Sequence, residues 1–162
     1  MKKKLKNLYL FLKKKKFVQD KQARSLSFFC KEKIKFSIFD KNLLDVMTSI
    51  SKLDKTDLRL NLHSSRNERH HDMIILQRKN YKCPVHKHLS NGETIHIIKG
   101  SMAILVFNKK KKLINKIILN KKNRLIYRIP TTFYHTVQIK SNYAIYHESK
   151  NGPFVRKETI FA

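Results

Sequence analysis

The sequence predicts a small all-β barrel preceded by a short helical extension, and three observations carry that expectation. From residue 72 onward, short apolar-rich runs recur at intervals of roughly ten residues. Turn-forming residues separate them, at Asn91-Gly92, Gly100, Asn108–Lys112, Asn120–Asn123, Pro130 and Ser141-Asn142. One run carries two histidines at strand spacing with a glutamate close by, and a later run carries a third histidine. No helix-length pattern alternates with the runs, which excludes a βαβ architecture.

Residues 1–35 alternate lysine runs with short apolar patches and contain no proline or glycine. Leu5, Leu8 and Leu12 would share a helical face, and the segment is expected to be flexible or partly helical and loosely attached. Residues 36–162 are expected to form the folded, metal-binding domain. It begins with a helix over 38–54, where Ile38, Leu43, Leu44, Val46, Met47 and Ile50 recur near helical spacing and Asp40 is placed to cap. Residues 57–63 then alternate Leu58, Leu60 and Leu62 with Arg59, Asn61 and His63, a half-buried strand with three polar groups on one face. The strand-like runs that follow are 73–77, 82–88, 93–99, 102–107, 113–119, 125–129, 133–139 and 143–148. The tail from Asn151 is expected to leave the barrel.

The chain of 162 residues carries a net charge of +26. Residues 1–35 hold thirteen basic residues against Asp20 and Glu32, a local surplus of +11. Such a segment could attract nucleic acid or an anionic membrane surface. The plainer account is a composition drift toward Lys, Asn, Ile and Phe, which are frequent throughout. Cys30 and Cys83 are too few for a disulfide framework and lack paired zinc-type spacing, so a reducing, cytoplasmic setting is expected. The apolar run Leu8–Leu12 is too short for an export signal, and no stretch reaches the ~20 apolar residues of a membrane span.

The chemistry concentrates in residues 81–100. His86 and His88 stand two apart, so in a strand they leave the same face about 7 Å apart. Glu93 follows five residues later, and His135 lies in a second strand-like stretch. Imidazoles and a carboxylate on one inner face suit a divalent transition metal. Alternation from Glu93 turns His96 to the opposite face, and Cys83 has the opposite parity to His86. The adjacent His70 and His71 lie in a polar stretch and are expected to face solvent, and His147 is expected to be a structural histidine.

The two stretches together resemble the motifs of the cupin superfamily. Its first motif, G-x5-H-x-H-x3,4-E-x6-G, appears as His86, His88, Glu93 and Gly100, with Asn80 in place of the leading glycine. Its second, G-x5-P-x-G-x2-H-x3-N, appears as Pro130 and His135, with Thr132 and Ile139 replacing the glycine and the asparagine. The order of features after residue 36 is closer still to the WbuC-type cupin-fold metalloproteins: a helix near Asp40, then Arg59, Asn61 and His63, then Pro84 ahead of the histidine pair. The tail, Glu148, Lys150, Gly152 and Pro153, fits the same order.

The resemblance implies a cupin barrel, or double-stranded β-helix, holding one divalent metal (Fe, Mn, Ni, Co or Zn) through His86, His88, Glu93 and His135. It makes Arg59, Asn61 and His63 a polar pocket wall for an anionic or hydroxyl-rich ligand. Phe133, which shares parity with His135, would line the same pocket. It further implies a role in O-antigen or other surface-polysaccharide biosynthesis, with a sugar or nucleotide-sugar intermediate as ligand, and pairing of two copies as a homodimer. Within that frame two functions stay open: a metal-dependent isomerase-, epimerase- or oxygenase-like enzyme, and a non-catalytic module that binds or senses a small ligand. No residue stands out as a separate general base.

Overall fold

The computed structural model describes residues 2–23, 25–31, 38–53 and 57–162. Helix α1 (Lys2–Lys14) leads into strands β1 (Phe17–Gln19) and β2 (Leu26–Cys30), and helix α2 (Lys41–Leu53) follows. Then come β3 (Leu58–Asn61), β4 (His70–Arg78), β5 (His86–His88), β6 (Glu93–Lys99), β7 (Ser101–Phe107) and β8 (Leu113–Asn120). The chain continues through β9 (Ile126–Ile129), β10 (Tyr134–Ile139) and β11 (Tyr143–Asn151), makes a 3-10 turn at Arg156–Glu158 and ends in β12 (Thr159–Phe161).

The strands form two sheets, ordered β1-β2-β3-β4-β11-β6-β9 and β12-β5-β10-β7-β8. The pairings are antiparallel apart from β2 on β3, which is parallel. Alternation along the strands explains two separate cores. Met73 and Ile75 of β4, with Ile95, Ile97, Met102, Ile104 and Tyr146, pack between the sheets. Ile74 and Leu76 of the same strand face the other way, onto Leu43 and Met47 of α2 and Leu8 and Leu12 of α1. That two-sided burial is why β4 reads as a nearly continuous apolar run. Gly100 joins β6 to β7 at φ +81°, and a Cβ there would lie 2.3 Å from the Tyr143 carbonyl oxygen. The turn therefore requires glycine.

The helix of the second segment is shorter than the spacing predicts. Asp40 Oδ1 accepts the Leu43 N–H at 2.8 Å, so Asp40 is the N-cap and Ile38 lies outside, exposed. The Lys15 ammonium, 2.9 Å from Asp40, holds the carboxyl below its usual range, with the Leu43 N–H adding to the effect.

Two expectations need correction. The segment expected to be loosely attached is packed: Leu8 and Leu12, one turn apart on α1, are buried against the α2 layer, and β1 and β2 extend the larger sheet. Its described lysines sit on the exposed side of the helix, so their charge does not oppose that burial. Leu5 lies outside the residues whose side chains are described. The tail, expected to leave the barrel, returns as β12 and pairs with β5, Thr159 opposite His88 and Phe161 opposite His86.

Candidate metal centre

Strand β5 is only three residues long and is held on both sides. His86 pairs with His135 of β10 on one flank, and β12 pairs along the other. This arrangement brings histidines 86, 88 and 135 together, with ring centroids 4.4 to 5.7 Å apart. Glu93 reaches them from β6 in the opposite sheet. One donor atom from each of His86, His88, Glu93 and His135 lies within 4.8 Å of every other, the separation a shared ion requires. The structure therefore brings together the four residues that the motif spacing nominated.

Carbonyl contacts set the tautomers of His86 and His135, and a hydroxyl contact orients the third ring. His86 Nδ1 lies 2.9 Å from the Pro84 carbonyl, and His135 Nδ1 3.2 Å from the Phe133 carbonyl. His88 Nδ1 lies 3.2 Å from the Thr159 hydroxyl. Each contact leaves the Nε2 of its ring as the available donor atom. In His88 and His135 this Nε2 is sealed from solvent and has no hydrogen-bond partner. His88 Nε2 comes within 2.6 Å of Glu93 Oε1, and His135 Nε2 within 3.4 Å of Oε2. Neither approach has the angles of a hydrogen bond, so proximity without pairing is the better description. Buried lone pairs crowded around one carboxylate fit a divalent transition metal, which would satisfy all of them at once.

Glu93 is the electrostatic hinge of the site. Burial penalises its charge, but the Lys150 ammonium more than offsets that and holds its carboxyl well below the usual range. Lys150 Nζ on β11 lies 2.9 Å from Glu93 Oε1 and 3.2 Å from Glu148 Oε1. Burial alone would pull that amine down, yet the two carboxylates raise it above its ordinary value and keep it protonated. Deeper in the barrel, Tyr146 Oη donates to Gln77 Oε1 at 2.9 Å. Burial, then the Glu148 charge, raises the Tyr146 hydroxyl well above its usual range.

The three residues of the expected polar wall part company. Arg59 has a sealed Nε without a partner, and its charge acts on Tyr81, Tyr146 and Lys150. Asn61 Nδ2 instead donates to Ser27 Oγ and to the Phe28 carbonyl, both at 2.9 Å, and so ties β3 to β2. His63 stacks on His71, centroids 4.1 Å apart and planes within 1°, with Nδ1 3.1 Å from the Asp72 carbonyl. Burial, then the neighbouring His71, lowers its imidazole to about 4. Phe133 is 36% exposed, just ahead of β10.

Among the histidines set aside, His96 is exposed, in line with the alternation along β6. His147 faces outward and lies 2.8 Å from Asp72 Oδ1. His71, however, is 3% exposed rather than solvent-facing. It belongs to the inner face of β4 with Met73, Ile75 and Gln77, and extending that alternation back by one residue would have placed it. Cys83 precedes β5 in non-strand chain, so strand parity does not govern it. It packs against the inter-sheet core and lies outside the ligand group.

Comparison with solved structures supports the same architecture. The capsular polysaccharide assembling protein CapF from Staphylococcus aureus aligns over 67% of this chain and 30% of its own, with 13% identity and a TM-score of 0.57. The chain thus spans about a third of the length of CapF. Protein SO0799 from Shewanella oneidensis aligns over 77% of this chain and 85% of its own, with 12% identity and a TM-score of 0.56. At such identities the likeness concerns the fold, which is the all-β cupin barrel. No curated protein matches the sequence. Among the described residues, no helix is long and apolar enough to cross a membrane. The model described as "Domain of unknown function (DUF6016)" matches residues 39–119, one half of the chain, and the protein belongs to that family.

Proposed function

We propose that this protein is a cupin-fold metalloprotein that holds one divalent transition metal through His86, His88, Glu93 and His135 and works on a sugar-derived ligand in surface-polysaccharide assembly. The observation that carries the metal reading is the pair of sealed, unpartnered Nε2 atoms of His88 and His135 beside the Glu93 carboxylate. The ligand class draws support from the WbuC-like order of sequence features and from the fold shared with a protein of capsular polysaccharide assembly.

An ion in this site supplies Lewis acidity to a ligand oxygen. The chain's own residues do the rest. Pro84, Phe133 and Thr159 fix the three rings, and Lys150 holds one oxygen of Glu93. Arg59, with an unpartnered Nε, supplies positive charge to the inner wall.

Metal analysis of the purified full chain tests the centre. Near-stoichiometric metal is expected in the wild type, and its loss in the His86→Ala/His135→Ala variant. Equal metal in both proteins, or none in the wild type, would falsify the centre. Incubating metal-loaded protein with a panel of nucleotide-sugars then tests the ligand. Turnover makes the protein an enzyme, and saturable binding without product makes it a binding module. The absence of both turnover and binding overturns the polysaccharide reading.

A further inference from the structure

A seven-residue pattern, Asn-Lys-Lys-x-(Lys/Arg)-Leu-Ile, occurs twice in the chain, over residues 108–114 and again over 120–126. The two copies connect β7 to β8 and β8 to β9. In the first, the Asn108 N–H donates to the Lys112 carbonyl at 3.0 Å, and the Lys112 N–H donates back to Asn108 Oδ1 at 3.0 Å. In the second, the Asn120 N–H donates to the Arg124 carbonyl at 2.9 Å. Asn120 Oδ1 accepts the N–H groups of Lys122 and Asn123, at 2.9 and 3.0 Å. Each asparagine thus closes a tight turn from which the basic residues project.

Both copies lie in water. Residues 109–116 and 121–126 are two unbroken exposed runs, and Leu113, Ile114, Leu125 and Ile126 keep between 47% and 60% of their surface exposed. Residues 109–126 hold seven lysines and one arginine, and no acidic residue stands anywhere between Glu93 and Glu148. None of these cations joins an ion pair among the described residues. Topology gathers them on one flank. Strand β8 ends the smaller sheet and β9 ends the larger one, and the second turn ties the two edges together.

Composition drift supplies lysines, but not one order twice with a similar turn built on each. Lysine on an edge strand also guards against edge-to-edge pairing, yet exposed Leu-Ile pairs have the opposite effect. A second copy seated on this flank would bring like charges together. Nucleic acid would satisfy the cations, but leucine and isoleucine offer nothing to phosphate. Residues 109–126 also contain no aromatic ring on which a base could stack. A bilayer with acidic headgroups takes both features. Its headgroups attract the cations, and its acyl boundary receives the aliphatic pairs.

We propose that the two turns flanking β8 dock the barrel on an anionic lipid bilayer, with the basic residues on the headgroups and the Leu-Ile pairs dipping below them. The contact involves none of the four candidate metal ligands, so it stands or falls independently of the metal and sugar readings. It also differs from attraction by the basic N-terminal segment, because it needs the aliphatic pairs as well as charge.

The test is co-sedimentation of the full chain with vesicles of phosphatidylcholine alone, or of phosphatidylcholine mixed three to one with phosphatidylglycerol. Binding to the mixed vesicles alone is expected, weakening as salt screens the headgroups. Lys109→Gln/Lys110→Gln/Lys112→Gln/Lys121→Gln should lower that affinity by about a hundredfold or more. Leu113→Ser/Ile114→Thr/Leu125→Ser/Ile126→Thr leaves the charge unchanged and should lower it about tenfold or more. The chain has no tryptophan, so Ile114→Trp places a single fluorophore in the patch. Its emission should shift to the blue on the mixed vesicles and be quenched by brominated lipid. No vesicle binding by the wild type, unchanged binding after either set of substitutions, or an emission indifferent to vesicles would each overturn the proposal. Tighter binding to duplex DNA than to the mixed vesicles would overturn it in favour of nucleic acid. A dimer in ultracentrifugation that the Leu and Ile substitutions dissolve would overturn it in favour of a second copy.

Discussion

Lys150 Nζ sits 2.9 Å from Glu93 Oε1, so a carboxylate that faces three imidazoles is also held by a buried ammonium. That amine spans two acidic groups, Glu93 and Glu148, on the inner faces of adjacent strands.

Removing the cation exposes what it balances. In metal-free protein, Lys150→Met leaves two buried carboxylates without their partner and should cost about 3–5 kcal/mol in urea unfolding. Added zinc should then stabilise the variant more than it stabilises the wild type, since the ion takes over the lost positive charge. Unchanged metal-free stability would mean that the ion pair is dispensable.

The Thr159 hydroxyl is the only described side-chain partner of His88 Nδ1. Thr159→Val keeps the shape and strand propensity of the residue and removes that bond. Zinc affinity should fall about tenfold or more, with the far-ultraviolet circular dichroism spectrum unchanged. Competitive titration against a chelating dye reads this directly, and an affinity equal to wild type would count against the orienting role.

The His63 imidazole imposes a pH dependence on folding. The unfolded ring protonates near the ordinary 6.5 and the folded one near about 4. Between those values the unfolded state binds the extra proton. Stability therefore is fully present above 6.5 and declines as pH falls toward 4. His63→Phe keeps an aromatic ring between Phe29 and His71 and should flatten the decline by on the order of 2–3 kcal/mol. Metal-free urea unfolding at pH 7 and pH 4.5 measures the difference, and parallel profiles in the two proteins would exclude His63 as its source.

Asp40 provides a check on the outer layer. Asp40→Ala removes the acceptor of the Leu43 N–H and should lower stability by about 1 kcal/mol, while zinc affinity remains that of the wild type. A loss of metal binding in this variant would show that α2 is coupled to the centre.

Much of the barrel was legible because alternation and turn residues agree with each other. From β6 to β11 the strand-like runs match the observed strands closely, and the inner face of β6 could be assigned well enough to reject His96. The resemblance to the cupin motifs nominated the four residues that the fold then brings within 4.8 Å. Legibility failed where a local signal was hidden by its neighbours. The shared face of Leu8 and Leu12 was legible but its burial was not, because its partners on α2 and the outer face of the larger sheet lie far along the chain. His71 looked exposed because His70 stands beside it, yet a strand sends adjacent side chains to opposite faces. Asn61 shares a face with Arg59, but its amide is taken by β2, a strand the periodicity did not disclose. The return of the tail depends on three residues after a 3-10 turn, too few for any pattern to register.

The pairing of β12 with β5 has a kinetic consequence. Two of the four candidate ligands ride on a three-residue strand whose outer flank is a second three-residue strand. Unzipping so short a ladder is a local event, cheaper than opening either sheet. It frees the Thr159 contact to His88 and the backbone beside His86 together. An ion held by these residues would then enter and leave at a rate tied to the fraying of residues 159–161, with both sheets intact.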